Sequence, residues 1–123
     1  MENEELEMLL PLGSVVTVKD GDGSLLMIVS RAAISEVEGV TGYFDYAAVN
    51  YPNGVTDINE FMFFNRENVE SVQYFGFINA DEQIFADNYD DLMANQELPK
   101  LSVESPNEAD NKNIKPNNNP YGF

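Results

Sequence analysis

Cysteine, histidine and tryptophan are all absent from this chain of 123 residues. Without cysteine there is no disulfide framework and no thiolate metal site. Without histidine the commonest general base and the commonest metal ligand are both missing. Ser-His-Asp, Cys-His and His-based zinc chemistry are thereby excluded. No stretch approaches the ~20 apolar residues of a membrane span. The start, MENEELEMLLPLGS, is acidic where a secretory signal opens basic. The simplest reading is a cytoplasmic protein. Bases are scarce: 6 Lys and Arg stand against 22 Asp and Glu, for a net charge of −16. Residues 1–95 hold 18 of the acids and only 3 bases, Lys19, Arg31 and Arg66. Such a surface repels nucleic-acid phosphates and anionic lipid heads, so neither is an expected partner. It serves solubility, and it equally suits steering of a basic protein partner.

Apolar residues make up 43% of the chain, and 8 Phe with 6 Tyr can fill a small core. The length suits one domain. Leu6, Leu9 and Leu10 have helical spacing, a possible short turn ended by Pro11. Residues 14–19 are β-branched and strand-like. The Asp-Gly-Asp-Gly at 20–23 invites a calcium-loop reading. It fails, because the sixth and twelfth positions are Leu25 and Arg31 rather than Gly and Glu. Asp-Gly between apolar runs is instead a hairpin signal. Residues 25–30, LLMIVS, read as a strand buried on both faces. Residues 31–41 either extend it or form a loop.

Residues 43–55, YFDYAAVNYPNGV, place Tyr43, Asp45, Ala47, Val49 and Tyr51 on one strand face and Phe44, Tyr46, Ala48 and Asn50 on the other. Neither face is purely polar, so this is an inner strand closed by a Pro-Asn-Gly turn. Residues 61–64 form a fourth strand, residues 65–68 a turn or single helical turn, and residues 72–78 a fifth strand. Within the fifth, Gly76 marks a bulge or a close approach of backbones. Asn79 and Glu82 are spaced as a capping box before a helix of residues 80–95. Ile84, Phe85, Asn88, Tyr89, Leu92 and Met93 form its stripe, with Asp87, Asp90 and Asp91 off it. Beyond Gln96, four prolines and sparse apolar residues read as a disordered tail. The expected organisation is thus a single acidic domain over 1–95 and an Asn/Pro-rich tail over 96–123. The fold class is α+β: a mostly antiparallel five-stranded sheet or partly closed barrel, with one C-terminal amphipathic helix packed on it.

No nucleophile–base pair is in view, so no enzyme, catalytic residue, cofactor or metal site is expected. Paired carboxylates are too common among 22 acids to signal glycosidase chemistry. Binding is better founded, because an open sheet has edges and tyrosines make good anchors. The candidate partner-binding residues are Tyr43, Asp45 and Tyr51 on the aromatic strand and Asp87, Asp90 and Asp91 on the helix, with Tyr74 a further anchor. For each tyrosine the plainer reading is a sheet-filling side chain. For Asp45 the plainer reading is a carboxylate at the sheet end, hydrogen-bonded to a loop.

The order LLPLGSVV, SLLMIVSR, YFDYAAVNYPNGV, FMFFNRENVESVQYFGF and an acidic DEQIF helix resembles a small bacterial family, DUF4176, over residues 9–93. Ala47-Ala48 and the long Asn-rich tail fall outside the resemblance. That family is found in Gram-positive bacteria beside type VII secretion clusters and their LXG-class toxins. The resemblance implies a non-catalytic cytoplasmic chaperone or adaptor that binds an LXG toxin. The alternative is an immunity protein that blocks a toxin's catalytic domain. The family carries no established catalytic residues, so none transfer.

Overall fold

The computed structural model describes residues 8–103, and the expected features at Leu6 and over residues 104–123 lie outside that range. Five strands follow in order: β1 (Val15–Val18), β2 (Leu26–Val37), β3 (Val40–Asn50), β4 (Met62–Phe64) and β5 (Val69–Tyr74). Single 3-10 turns precede β4 (Ile58–Glu60) and β5 (Arg66–Asn68), and one helix, α1 (Ala80–Ala94), completes the fold. All strand pairs are antiparallel, in the order β4-β3-β2-β1-β5.

Residues 31–37 extend β2 rather than forming a loop. β2 returns into β3 through Glu38 and Gly39, both at positive φ (53° and 85°). Two such residues match the right-handed twist of a long hairpin. The β1–β2 connection is also a hairpin. Its loop is closed locally by the Ser24 amide donating to Asp22 Oδ1 at 2.9 Å. β2 is not straight: its register against β3 shifts between Ile28 and Ser30, and Ala32 sits at φ 52°.

The sheet is open but strongly curled. In a flat five-stranded sheet the outer strands would lie ~19 Å apart. Only residues 65–68 join β4 to β5, and they contain a 3-10 turn. Five residue steps span at most ~17 Å even when fully extended, so the two edges must bend toward each other. The concave interior is filled by Leu10, Val16, Ile28, Tyr46, Phe64 and Val69, each at most 3% exposed. The Tyr46 and Phe64 rings lie 5.6 Å apart, and the Tyr46 hydroxyl accepts from the buried Leu10 amide at 2.9 Å.

β5 begins three residues earlier than the sequence suggests and ends at Tyr74. Gly76 is the close approach of backbones: its amide donates to Ser14 Oγ at 3.0 Å. A Cβ there would overlap the Leu12 carbonyl oxygen. This crossing ends the ladder before Phe77 and Ile78, which lie exposed.

α1 is capped as expected, with Asn79 Oδ1 accepting from the Glu82 amide at 2.9 Å. The second half of the capping box is not made. Glu82 instead grips Arg31 of β2 with both oxygens, at 2.7 and 2.8 Å. Arg31 also donates to the Leu10 carbonyl at 2.9 Å and lies 4.9 Å over the Phe85 ring. A bidentate charge-assisted pair is worth more than a lone cap bond. That pair helps set the helix's rotation. Phe85, Ala86, Tyr89 and Met93 turn inward, while Ile84 and Leu92 of the expected stripe are 60% and 49% exposed. Replacing Asn79 with Ala removes the cap and should destabilise the chain by about 1 kcal/mol in chemical denaturation.

The chain beyond α1 departs from the expected boundary at residue 96. The Gln96 side chain bonds the carbonyls of Met93 and Leu98 and the Leu98 amide, which turns the chain back. Residues 99–101 then lie along β3, with a parallel bridge between Tyr43 and Lys100. Low apolar content hid this attachment, because backbone bonds and one buried Leu101 hold it.

Candidate functional site

An acid in the middle of an aromatic strand must find donors or move to the surface. Asp45 finds donors and is fully buried. Its Oδ1 accepts from the Tyr89 hydroxyl of α1 at 2.9 Å. Its Oδ2 accepts from the Arg66 amide at 3.0 Å and from Arg66 Nε at 3.1 Å, and Lys100 Nζ lies 3.3 Å away. One carboxylate thus joins β3, the β4–β5 turn, the helix and the returning C-terminal segment. Burial alone would raise its pKa. The Arg66 amide, the Arg66 and Lys100 charges and the Tyr89 hydroxyl outweigh burial and hold the carboxyl below its usual range. Beside it, Tyr89 is raised well above the usual phenol range, by burial first and then by the Asp45 charge.

Asn65 supports this centre from the preceding position. Its Oδ1 accepts from the Asp45 amide at 2.8 Å, its Nδ2 donates to the Leu101 carbonyl at 2.7 Å, and its own amide donates to Asn68 Oδ1 at 2.9 Å. Arg66 reaches outward to Asp90 at 2.8 Å and lies 5.3 Å from the Tyr89 ring centre. Lys100 reaches outward to Glu67 at 3.1 Å. The network therefore runs from a dry carboxylate to two surface acids. A carboxylate with both oxygens occupied and no exposed face is suited to holding elements together, and has no room to accept a proton from a substrate.

The six candidate residues separate. Tyr43 is buried and Asp45 more so, and they face the returning segment rather than solvent. Asp90 joins them through Arg66. Tyr51 stands apart, 49% exposed beside the cis Tyr51–Pro52 bond. Asp87 is exposed and accepts from Gln83, and Asp91, one turn further along the same side of α1, is also exposed. Tyr74 is 65% exposed at the end of β5.

Arg66, Lys100, Tyr89 and Asn65 were not among the candidate binding residues, although Tyr89 stood in the helix stripe and Arg66 among the scarce bases. A signal existed for Arg66 and Arg31. They are two of only 3 bases in residues 1–95, each adjoining an apolar run. A cation in that setting is seldom buried unless paired.

The outer surface of α1 carries a shallow depression of apolar floor and acidic rim, lined by Ile84, Phe85 and Leu92 with Asp81, Asn88 and Asp91. The two outermost strands are poor templates. β4 has three residues, and β5 pairs with β1 through two register irregularities. Among the described residues no helix is long and apolar enough to cross a membrane, and no group of three acids converges to hold a metal ion.

No curated protein and no solved structure matches this chain. A family model does, over residues 9–85, described as Domain of unknown function (DUF4176). The matched span starts in the buried Leu9, takes in all five strands with Asp45 and Arg66, and stops in the second turn of α1. Tyr89 and Lys100 lie beyond it. With more than half its length matched, the chain belongs to the DUF4176 family.

Proposed function

We propose that this protein is a non-catalytic accessory factor of type VII secretion, a cytoplasmic chaperone or adaptor that binds an LXG-class toxin before export. The secretion setting comes from the family resemblance. The binding reading rests on the outer face of α1, where Ile84 and Leu92 stand exposed between unpaired carboxylates. An apolar floor inside an acidic rim fits a basic amphipathic helix, with apolar contact giving affinity and charge giving rate. A net charge of −16 opposes a second copy of the same chain and favours a cationic partner.

The experiment is surface-based kinetics with the toxin's N-terminal helical half and C-terminal catalytic half presented separately. Binding to the N-terminal half is expected. Its association rate should fall about tenfold between low and physiological salt while dissociation changes little. Asp81→Asn with Asp91→Asn should flatten that salt dependence. Asp90 is left intact because it holds Arg66. Binding confined to the catalytic half would establish the immunity reading instead, and binding to neither half would remove the toxin as partner.

A further inference from the structure

β3 has a free edge that β4 does not reach. β4 pairs with Tyr46, Ala47 and Ala48 only, so residues 40–45 are left without a strand on that side. The chain's own residues 99–101 fill part of this gap. The Tyr43 amide donates to the Pro99 carbonyl at 3.0 Å, and the Leu101 amide donates to the Tyr43 carbonyl at 2.8 Å. Gly42 forms the floor: a Cβ there would come within 2.8 Å of Leu101 Cγ. Leu101 is buried against it, and Lys100 points to Asp45 and Glu67. The segment that lies there is short and extended, parallel to β3, with a cation followed by a large aliphatic residue.

We propose that this edge is a peptide-binding groove, that residues 99–101 are its displaceable occupant in cis, and that an extended basic–aliphatic segment of a partner protein takes their place. The inference goes beyond the toxin-binding reading and does not depend on it. Three observations support displacement. The strand-like backbone pairing is one bridge of two hydrogen bonds, far shorter than the ladders of the sheet, with the Asn65 Nδ2 bond to the Leu101 carbonyl and the Lys100 ion pairs beside it. Its departure leaves no buried charge alone, because Asp45 keeps the Arg66 amide, the Arg66 guanidinium and the Tyr89 hydroxyl. The groove residues Gly42, Asp45, Asn65 and Glu67 belong to the family span 9–85, whereas the occupant does not. The acidic pair at the groove, Asp45 and Glu67, favours a basic entrant.

Two measurements on the full chain test this. In native-state hydrogen exchange, the Tyr43 and Leu101 amides should exchange at least about a hundredfold faster than the Ile28 amide, reporting local release of the segment. In the second, a capped peptide with the sequence of residues 98–103 is titrated, by amide chemical shift, into the chain carrying Lys100→Glu and Leu101→Ser. Saturable shifts at Gly42, Tyr43, Asn65 and Glu67 are expected. Binding to the unmodified chain should be at least about tenfold weaker, because the tethered segment competes at high effective concentration. A peptide with Glu in place of its Lys should not bind. Exchange as slow as that of Ile28, loss of the folded spectrum in the double variant, equal binding to both chains, or binding of the Glu peptide would each overturn the proposal. So would dimerisation of the unmodified chain through exchanged segments, which would make a second copy the occupant.

Discussion

Replacing Asp45 with Asn should destabilise the fold by about 3–5 kcal/mol, the cost of removing one partner from a buried ion pair. The reason is the character of its neighbours. The Tyr89 hydroxyl, the Arg66 amide, the Arg66 guanidinium and the Lys100 ammonium all donate. A carboxylate only accepts, whereas an amide must turn its own donors toward one side of that shell. With whole-domain stability of roughly 0.05–0.15 kcal/mol per residue, this loss is a large fraction of the total.

The pH dependence follows from the sign of the shift. Asp45 has its folded pKa held below 3.8. Its ionised form therefore contributes stability that is fully present above the unfolded value. That contribution is lost as pH falls through the lower, folded one. The stability gap between the native chain and Asp45→Asn should stay constant from about pH 5 to 7 and narrow below about pH 4. Urea denaturation of both chains across that range is the measurement. A gap unchanged down to the acid limit would mean that the charge of Asp45 contributes nothing.

Tyr89→Ala should have the second large effect, about 3–5 kcal/mol, as for a buried aromatic residue. Tyr89 is 1% exposed, belongs to the core, and is the point at which α1 holds Asp45. Tyr89→Phe keeps the ring and removes only the hydroxyl, for about 1.5–3 kcal/mol, the range of a hydrogen bond to a charged group. Phe85, only partly buried, is the lesser anchor. Phe85→Ala should cost roughly 1–3 kcal/mol, including its contact with Arg31. If Phe85→Ala proved the more damaging of the two, the helix would sit on the sheet in a different rotation.

The difference between Phe85 and Tyr89 shows where sequence reasoning stopped. Periodicity placed both on one stripe with Ile84 and Leu92, because all four are apolar and suitably spaced. The helix turns on two polar contacts instead, Glu82 with Arg31 and Tyr89 with Asp45. Each joins residues far apart in the chain, and no local window contains both partners. The capping box failed for the same reason, since a distant guanidinium outcompeted a nearby amide for Glu82.

Local chemistry alone determined a good deal of this protein. Alternation and β-branching marked the strands. Asp-Gly marked the first hairpin, and Asn79 the start of α1. The missing cysteine and histidine removed whole classes of chemistry. Those signals act over a few residues and survive without knowledge of the fold. Tertiary structure alone decided that the sheet curls, that Asp45 is the buried junction of four elements, and that residues 99–101 return to β3. It also left Ile84 and Leu92 facing outward. These outcomes depend on which distant groups satisfy one another. A buried charge or an open strand edge takes whatever donors the completed chain brings within reach.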